Sequence, residues 1–137
     1  MANQTDRQII LDGPRNAIVK FTGVLTDTDA WFSPALRITD FSATEAGANL
    51  SGFRVDLVEF AISQPLEVVL AWTGATPQII VPLSGRGRLN SWNYGGLQPD
   101  TTKPGYDGSI TLYTQNFPPG SIMNYTVLLE LVKLYSR

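Results

Sequence analysis

Two pairs of carboxylates, one glycine-arginine run and a set of loop aromatics are the residues of this chain whose types and spacing could do chemistry. Glu59 and Glu67 flank Ser63-Gln64-Pro65. On the arms of a hairpin they would oppose each other, the arrangement from which a glycosidase acid and its partner are built. Each is also what an outward position on a half-exposed strand carries, and this plainer reading is preferred. Asp27 and Asp29 lie two apart in a polar turn and could both give oxygens to Ca²⁺, but the surrounding ligand pattern of a calcium loop is missing. A hydrogen-bonded turn accounts for them better. Ser84-Gly85-Arg86-Gly87-Arg88 sets two cations among glycines and could wrap an anion. It lacks the strand-to-helix context of a phosphate loop, and Arg86 and Arg88 fit a protein contact better.

The chain has no His and no Cys. That removes the commonest general base, the thiolate nucleophile and the usual zinc ligands together, and no nucleophile and base can be paired. No enzymatic activity, cofactor or metal is therefore expected. Trp31, Trp92, Tyr94 and Tyr106 lie in or beside loops, where a large aromatic needs something to cover it. Three readings remain open for them: stacking on sugar rings, anchoring a protein interface, or plugging the ends of the fold. The density of Arg and aromatics around 84–107 favours the interface. Its candidate residues are Ile9, Ile10, Leu11, Trp31, Phe32, Arg86, Arg88, Trp92, Tyr94 and Tyr106.

The elements that must position these residues read as strands throughout. The 137 residues suit a single core, and 43% are hydrophobic. Only 16% are charged, with a net charge of −2, so the broad basic face of a nucleic-acid binder is not expected. The first residues are polar and lack the apolar centre of a secretory signal, and no run is long enough to span a membrane. Synthesis in the cytoplasm is expected, with neither nucleic acid nor membrane as partner.

Ile9-Ile10-Leu11, before the turn signal Asp12-Gly13-Pro14, reads as a docking arm over 1–12 or as an edge strand of the chain's own sheet. Residues 13–137 form one domain. Alternation predicts strands over 15–25, near Leu36 and Ile38, over 53–62 and 66–72, at 78–83, at 88–92, over 108–114 and over 121–135. Thr44-Glu45-Ala46 reads as loop. The runs 53–62 and 66–72 are taken as an antiparallel pair across Ser63-Gln64-Pro65. A change of phase in the first of them predicts a β-bulge near Val58. Met123, Tyr125, Val127, Leu129 and Leu131 make an apolar row that places the last strand centrally. Eight or nine short strands without a convincing helix predict an all-β antiparallel sandwich, most simply a jelly roll.

Three segments carry a resemblance. They are Gly13-Pro14-Arg15-Asn16-Ala17-Ile18-Val19-Lys20-Phe21-Thr22-Gly23-Val24-Leu25; Leu83-Ser84-Gly85-Arg86-Gly87-Arg88-Leu89 running into Tyr94-Gly95-Gly96-Leu97; and Tyr125-Thr126-Val127-Leu128-Leu129-Glu130-Leu131-Val132-Lys133. In order and spacing the chain resembles small virion proteins of tailed bacteriophages, of the head decoration or capsid cement type. The resemblance implies a homotrimer on the outside of the head, bridging major capsid subunits, with no catalytic residues. A lectin-like or a tail- or fibre-associated module is the alternative.

Overall fold

The computed structural model describes residues 3–42, 48–92 and 95–136. Nine strands fill most of this length: β1 (Gln4–Asp12), β2 (Asn16–Leu25), β3 (Trp31–Leu36), β4 (Asn49–Ile62), β5 (Glu67–Trp72), β6 (Gln78–Ser84), β7 (Arg86–Asn90), β8 (Ile110–Gln115) and β9 (Met123–Ser136). A single 3₁₀ turn, Ile38–Asp40, follows β3. Every strand pair is antiparallel, in a five-stranded sheet β1-β2-β9-β4-β7 and a four-stranded sheet β3-β8-β5-β6. With β1 set aside, this interleaved order is that of a jelly roll, as the strand count and alternation predicted.

Two bent ribbons generate this order. In one, residues 49–72 run against 78–90, and both arms pass from one sheet to the other at the same level. The crossings are the turn 63–66, closed by Leu66 N–H on the Ser63 carbonyl at 2.9 Å, and Gly85 with φ +69°. Ile62 N–H donates to the Gly85 carbonyl at 2.6 Å and joins the two crossings. In the other ribbon β2 pairs with β9 and β3 with β8, so 16–36 runs against 110–136.

This geometry corrects the expected hairpin of 53–62 with 66–72. β4 pairs with β7 and β9, whereas β5 pairs with β6 and β8 in the opposite sheet. The two runs are successive halves of one bent arm, and alternation alone looks the same in either arrangement. The strand expected near Leu36 and Ile38 lies earlier, at Trp31–Leu36, because Arg37 leads into the 3₁₀ turn, where Asp40 Oδ2 accepts from the Arg37 N–H at 2.8 Å. The loop reading of Thr44-Glu45-Ala46 falls outside the described residues.

The core lies between the sheets. β9 contributes Tyr125, Val127, Leu129 and Leu131, β5 contributes Leu66 just before it together with Val68, Leu70 and Trp72, and β2 contributes Ala17, Val19, Phe21 and Leu25. β9 is central, between β2 and β4. Pro82, which cannot donate to a ladder, sits on the edge strand β6. Of the two readings of Ile9-Ile10-Leu11, the structure has the edge strand, with β1 paired to β2 from Gln4 opposite Val24 to Asp12 opposite Ala17.

One charge enters the core row. Lys133 has the same parity on β9 as Leu129 and Leu131, and its side chain is fully buried. Its Nζ lies 2.5 Å from Asp12 Oδ1 at the end of β1 and 4.9 Å from the centre of the Phe41 ring. Asp12 Oδ2 accepts from the Ser42 N–H and hydroxyl at 2.9 and 3.2 Å. The pair ties the edge strand to the central one across the end of the sandwich.

Candidate functional site

Of three register shifts among the described residues of the five-stranded sheet, two shape the outer face at issue. One is at Ile10, where the pairing steps from Ile9–Val19 to Leu11–Ile18. The other is at Asp56, where it steps from Val55–Leu131 to Leu57–Glu130. Each inserts one residue and reverses the facing of the residues after it. Phe53 and Val55 point into the core, then Val58, Phe60 and Ile62 do, and Leu57 is turned outward. The bulge expected near Val58 therefore lies two residues earlier. Leu57 and Val58 are both apolar and buried, so hydrophobicity could not say which of them faces inward.

Once both bulges have acted, Leu11, Ile18, Glu130, Leu57 and Asn90 stand in one row across the five strands. Trp92 closes the row just beyond β7, and the row floors a trough of about 400 Å³. The next row holds Gln8, Lys20, Leu128, Glu59 and Arg88. Leu11 is 43% exposed, Trp92 59% and Ile10, at its bulge, 49%.

Neighbouring groups brace this face. The Asp56 carbonyl accepts from the Ser91 N–H at 2.8 Å, and the Ser91 hydroxyl reaches the Val55 carbonyl at 2.7 Å. The Asp56 carboxylate takes two bonds from Arg54, from Nε at 2.8 Å and from Nη2 at 3.1 Å. That hydrogen bond, with the charge behind it, raises the Arg54 pKa further. Gly96, with φ +78°, packs against the pair so closely that a Cβ there would lie 2.5 Å from Asp56 Oδ1.

A second concavity opens between the exposed edges of the two sheets, β1 and β3. It is a cleft of about 540 Å³ whose walls include Thr5, Arg7, Phe21, Trp31, Phe32 and Tyr125. Trp31 stacks on Tyr113 with ring centres 4.6 Å apart. Arg7 Nη1 spans the mouth, donating to the Ala35 carbonyl at 3.1 Å and to Asp40 Oδ2 at 2.6 Å. Burial pushes the Tyr125 phenol up to about 12.

The expected interface residues are thus divided. Leu11, Arg88 and Trp92 line the trough, and Arg86 lies beside Lys20 and Leu128 on the same face. Trp31 and Phe32 belong to the cleft instead. Ile9 packs against the core. Tyr106 also turns inward, with its hydroxyl against Gly52, and burial raises its pKa. Tyr94 lies outside the described residues.

The carboxylate pair is not brought together. Glu59 makes an ion pair with Arg88 at 3.2 Å in the five-stranded sheet, while Glu67, in the other sheet, accepts from Gln115 and Asn116 at 3.1 and 2.7 Å. In the 26–29 turn, Asp29 Oδ1 accepts from the Thr114 hydroxyl at 3.0 Å and the Phe117 N–H at 3.2 Å, and the Asp27 N–H donates to Asn3 Oδ1. Among the described residues no group of three or more acidic side chains could hold a metal ion.

Sequence reasoning missed the outward facing of Ile18 and of the buried Leu57, because it depends on bulges and pairing. Lys133 could have been found, since its parity placed it in the core row. Comparison with protein-family models, curated proteins and solved structures finds no match.

Proposed function

We propose that this protein is a virion structural protein, a decoration or cement protein that binds the outside of a tailed-phage head as an oligomer, a homotrimer by the resemblance. It would act there by stabilising contacts between major capsid subunits. The observation that carries the reading is the outer row of the five-stranded sheet. The bulge at Ile10 turns Leu11 outward into line with Ile18 and Trp92, over the outward-facing but covered Leu57 and beside exposed Arg88 and Arg86. Apolar anchors ringed by Arg and polar groups are what a protein-binding surface needs.

The mechanism is additive. A contact of standard size buries roughly 1,600 Å² in total, and an oligomer that grips several capsid subunits multiplies modest contacts through effective concentration. No bond is made or broken, and neither cofactor nor nucleic acid takes part.

The test is sedimentation of the purified protein alone and with heads assembled from the major capsid protein of the same phage. The wild type should sediment as an oligomer and travel with heads. Leu11→Asp and Trp92→Ala alter exposed side chains, so both should keep the far-ultraviolet circular dichroism of the wild type while head occupancy falls at least tenfold, about 1.4 kcal/mol per contact. A folded monomer that never travels with heads would refute the proposal.

A further inference from the structure

The cleft between β1 and β3 contains a polar group that the fold leaves without a partner. Tyr125 belongs to the inner row Thr5, Gly23, Tyr125 and Ile62 of the five-stranded sheet. Because Gly23 has no side chain, the tyrosine ring lies across it. A Cβ there would be 2.4 Å from Cε1, 2.6 Å from Cζ and 2.8 Å from the hydroxyl oxygen. A glycine inside a strand often marks such a close approach. The ring is thereby carried over β2 towards the edge strand, and Tyr125 becomes part of the cleft wall.

Tyr125 is only 3% exposed, yet among the described residues no group hydrogen-bonds its hydroxyl. The ring is enclosed but its oxygen is not, since among the described residues the one fully enclosed side-chain nitrogen or oxygen without a partner is Trp72 Nε1; the Tyr125 hydroxyl opens on the cleft and is available to whatever enters.

The surroundings indicate what that is. Phe21 and Phe32 make apolar walls. Trp31, 59% exposed, stacks on Tyr113 on the outer side of the four-stranded sheet, opposite to the inward-turned Phe32, and reaches the cleft only at its mouth. Arg7 uses Nη1 on Ala35 and Asp40, which leaves its Nε and Nη2 donors without a protein partner among the described residues. Its charge is already met by Asp40 at 2.6 Å, and Asp6 lies on the rim, so the cleft has little net charge with which to hold an anion. A volume of about 540 Å³ is in the range of small-molecule sites.

The geometry points to a saccharide-binding site in this cleft, where a neutral pyranose ring stacks on Trp31 and shares its hydroxyls with the Tyr125 hydroxyl and the free donors of Arg7. An aromatic platform beside a few neutral donors and acceptors suits a ring with an apolar face and a hydroxylated edge. The site is independent of the outer row on which the capsid reading rests, so either can stand without the other.

The full-length protein is titrated with glucose, galactose, mannose, N-acetylglucosamine, N-acetylgalactosamine and their β-linked disaccharides. Saturation-transfer nuclear magnetic resonance and tryptophan fluorescence give the readouts. At least one sugar should bind saturably, and Tyr125→Phe should weaken it about tenfold, the usual worth of one hydrogen bond. Since the hydroxyl has no partner in the fold, Tyr125→Phe should melt no lower than the wild type. Trp31→Ala should abolish the fluorescence response. The proposal is overturned if no sugar of the panel binds saturably, if Tyr125→Phe binds as well as the wild type, or if Tyr125→Phe melts lower.

Discussion

Replacing Asp12 with Asn keeps the shape of the side chain and removes the charge that faces Lys133. The lysine side chain is fully buried and the aspartate side chain is 23% exposed, with 2.5 Å between Nζ and Oδ1. Removing one partner of a fully buried pair costs about 3–5 kcal/mol, because the remaining buried charge loses that counter-charge. Asp12 retains some access to water, which screens the pair and lowers the expectation to about 2–3 kcal/mol. For 137 residues the entropy of unfolding is about 0.29 kcal/mol/K, so Asp12→Asn should melt about 7–10 °C lower. The assay is urea denaturation at fixed protein concentration, with thermal melting as the second probe.

The double variant Asp12→Asn with Lys133→Met gives the sharper result. It removes both charges and fills the lysine's space with an apolar chain, so most of the lost stability should return, since apolar replacement of a buried pair is often neutral or better. The reasoning fails if Asp12→Asn costs less than about 1 kcal/mol, or if the double variant is no more stable than the single one.

Gly96→Ala should cost about 2–3 kcal/mol in urea denaturation, because φ is +78° and the added Cβ would meet Asp56 Oδ1 at 2.5 Å and Arg54 Cγ at 2.6 Å. Gly95→Ala, at φ +90° with nothing within 4 Å, should cost only about 1–2 kcal/mol for the backbone, and equal losses would show that the contact with the Arg54–Asp56 pair is immaterial. Stability should also fall in alkali. Below pH 10 Tyr125 is protonated in both states, but above it the unfolded chain releases its proton while the folded tyrosine, raised to about 12, keeps it. Unfolding is therefore favoured increasingly from pH 10 to 12, by at most about 2.7 kcal/mol, and a titration of stability on Tyr125→Phe should lack most of that loss.

The strands of this fold were largely legible because most keep a strict period of two. β2 buries Ala17, Val19, Phe21 and Leu25 in alternation, and β9 does the same from Tyr125 to Leu131, so much of the inner face of the five-stranded sheet could be read from residue type. Their partners could not. A hairpin and a bent arm carry identical alternation, and Ser63-Gln64-Pro65 suits either a tight turn within a sheet or a crossing between sheets. What decides between them is the long-range pairing of β4 with β9, and no local signal encodes that. The same failure misplaced Glu59 and Glu67 as opposed carboxylates.

The two concave surfaces share an origin that alternation would have hidden. The trough exists because the bulges at Ile10 and Asp56 reverse the facing of Leu11 and Leu57, each in its own strand, and the register then brings both into one row. The cleft takes its form because Gly23, a residue with nothing to alternate, lets Tyr125 lie across β2 towards the edge. In both places a regular strand would have been cheaper to build. A bulge leaves a residue outside the ladder, and a glycine in a strand gives up packing. Departures from local preference that persist beside a concave surface are where a fold gives up stability for use. By that argument β1 is the segment of greatest consequence, since it contributes Leu11 to the trough and Thr5 and Arg7 to the cleft. Its attachment through Asp12 to Lys133 acts together with the ladder to β2 and the Arg7–Asp40 pair, so one edge strand, held at both ends and along its length, carries part of both surfaces.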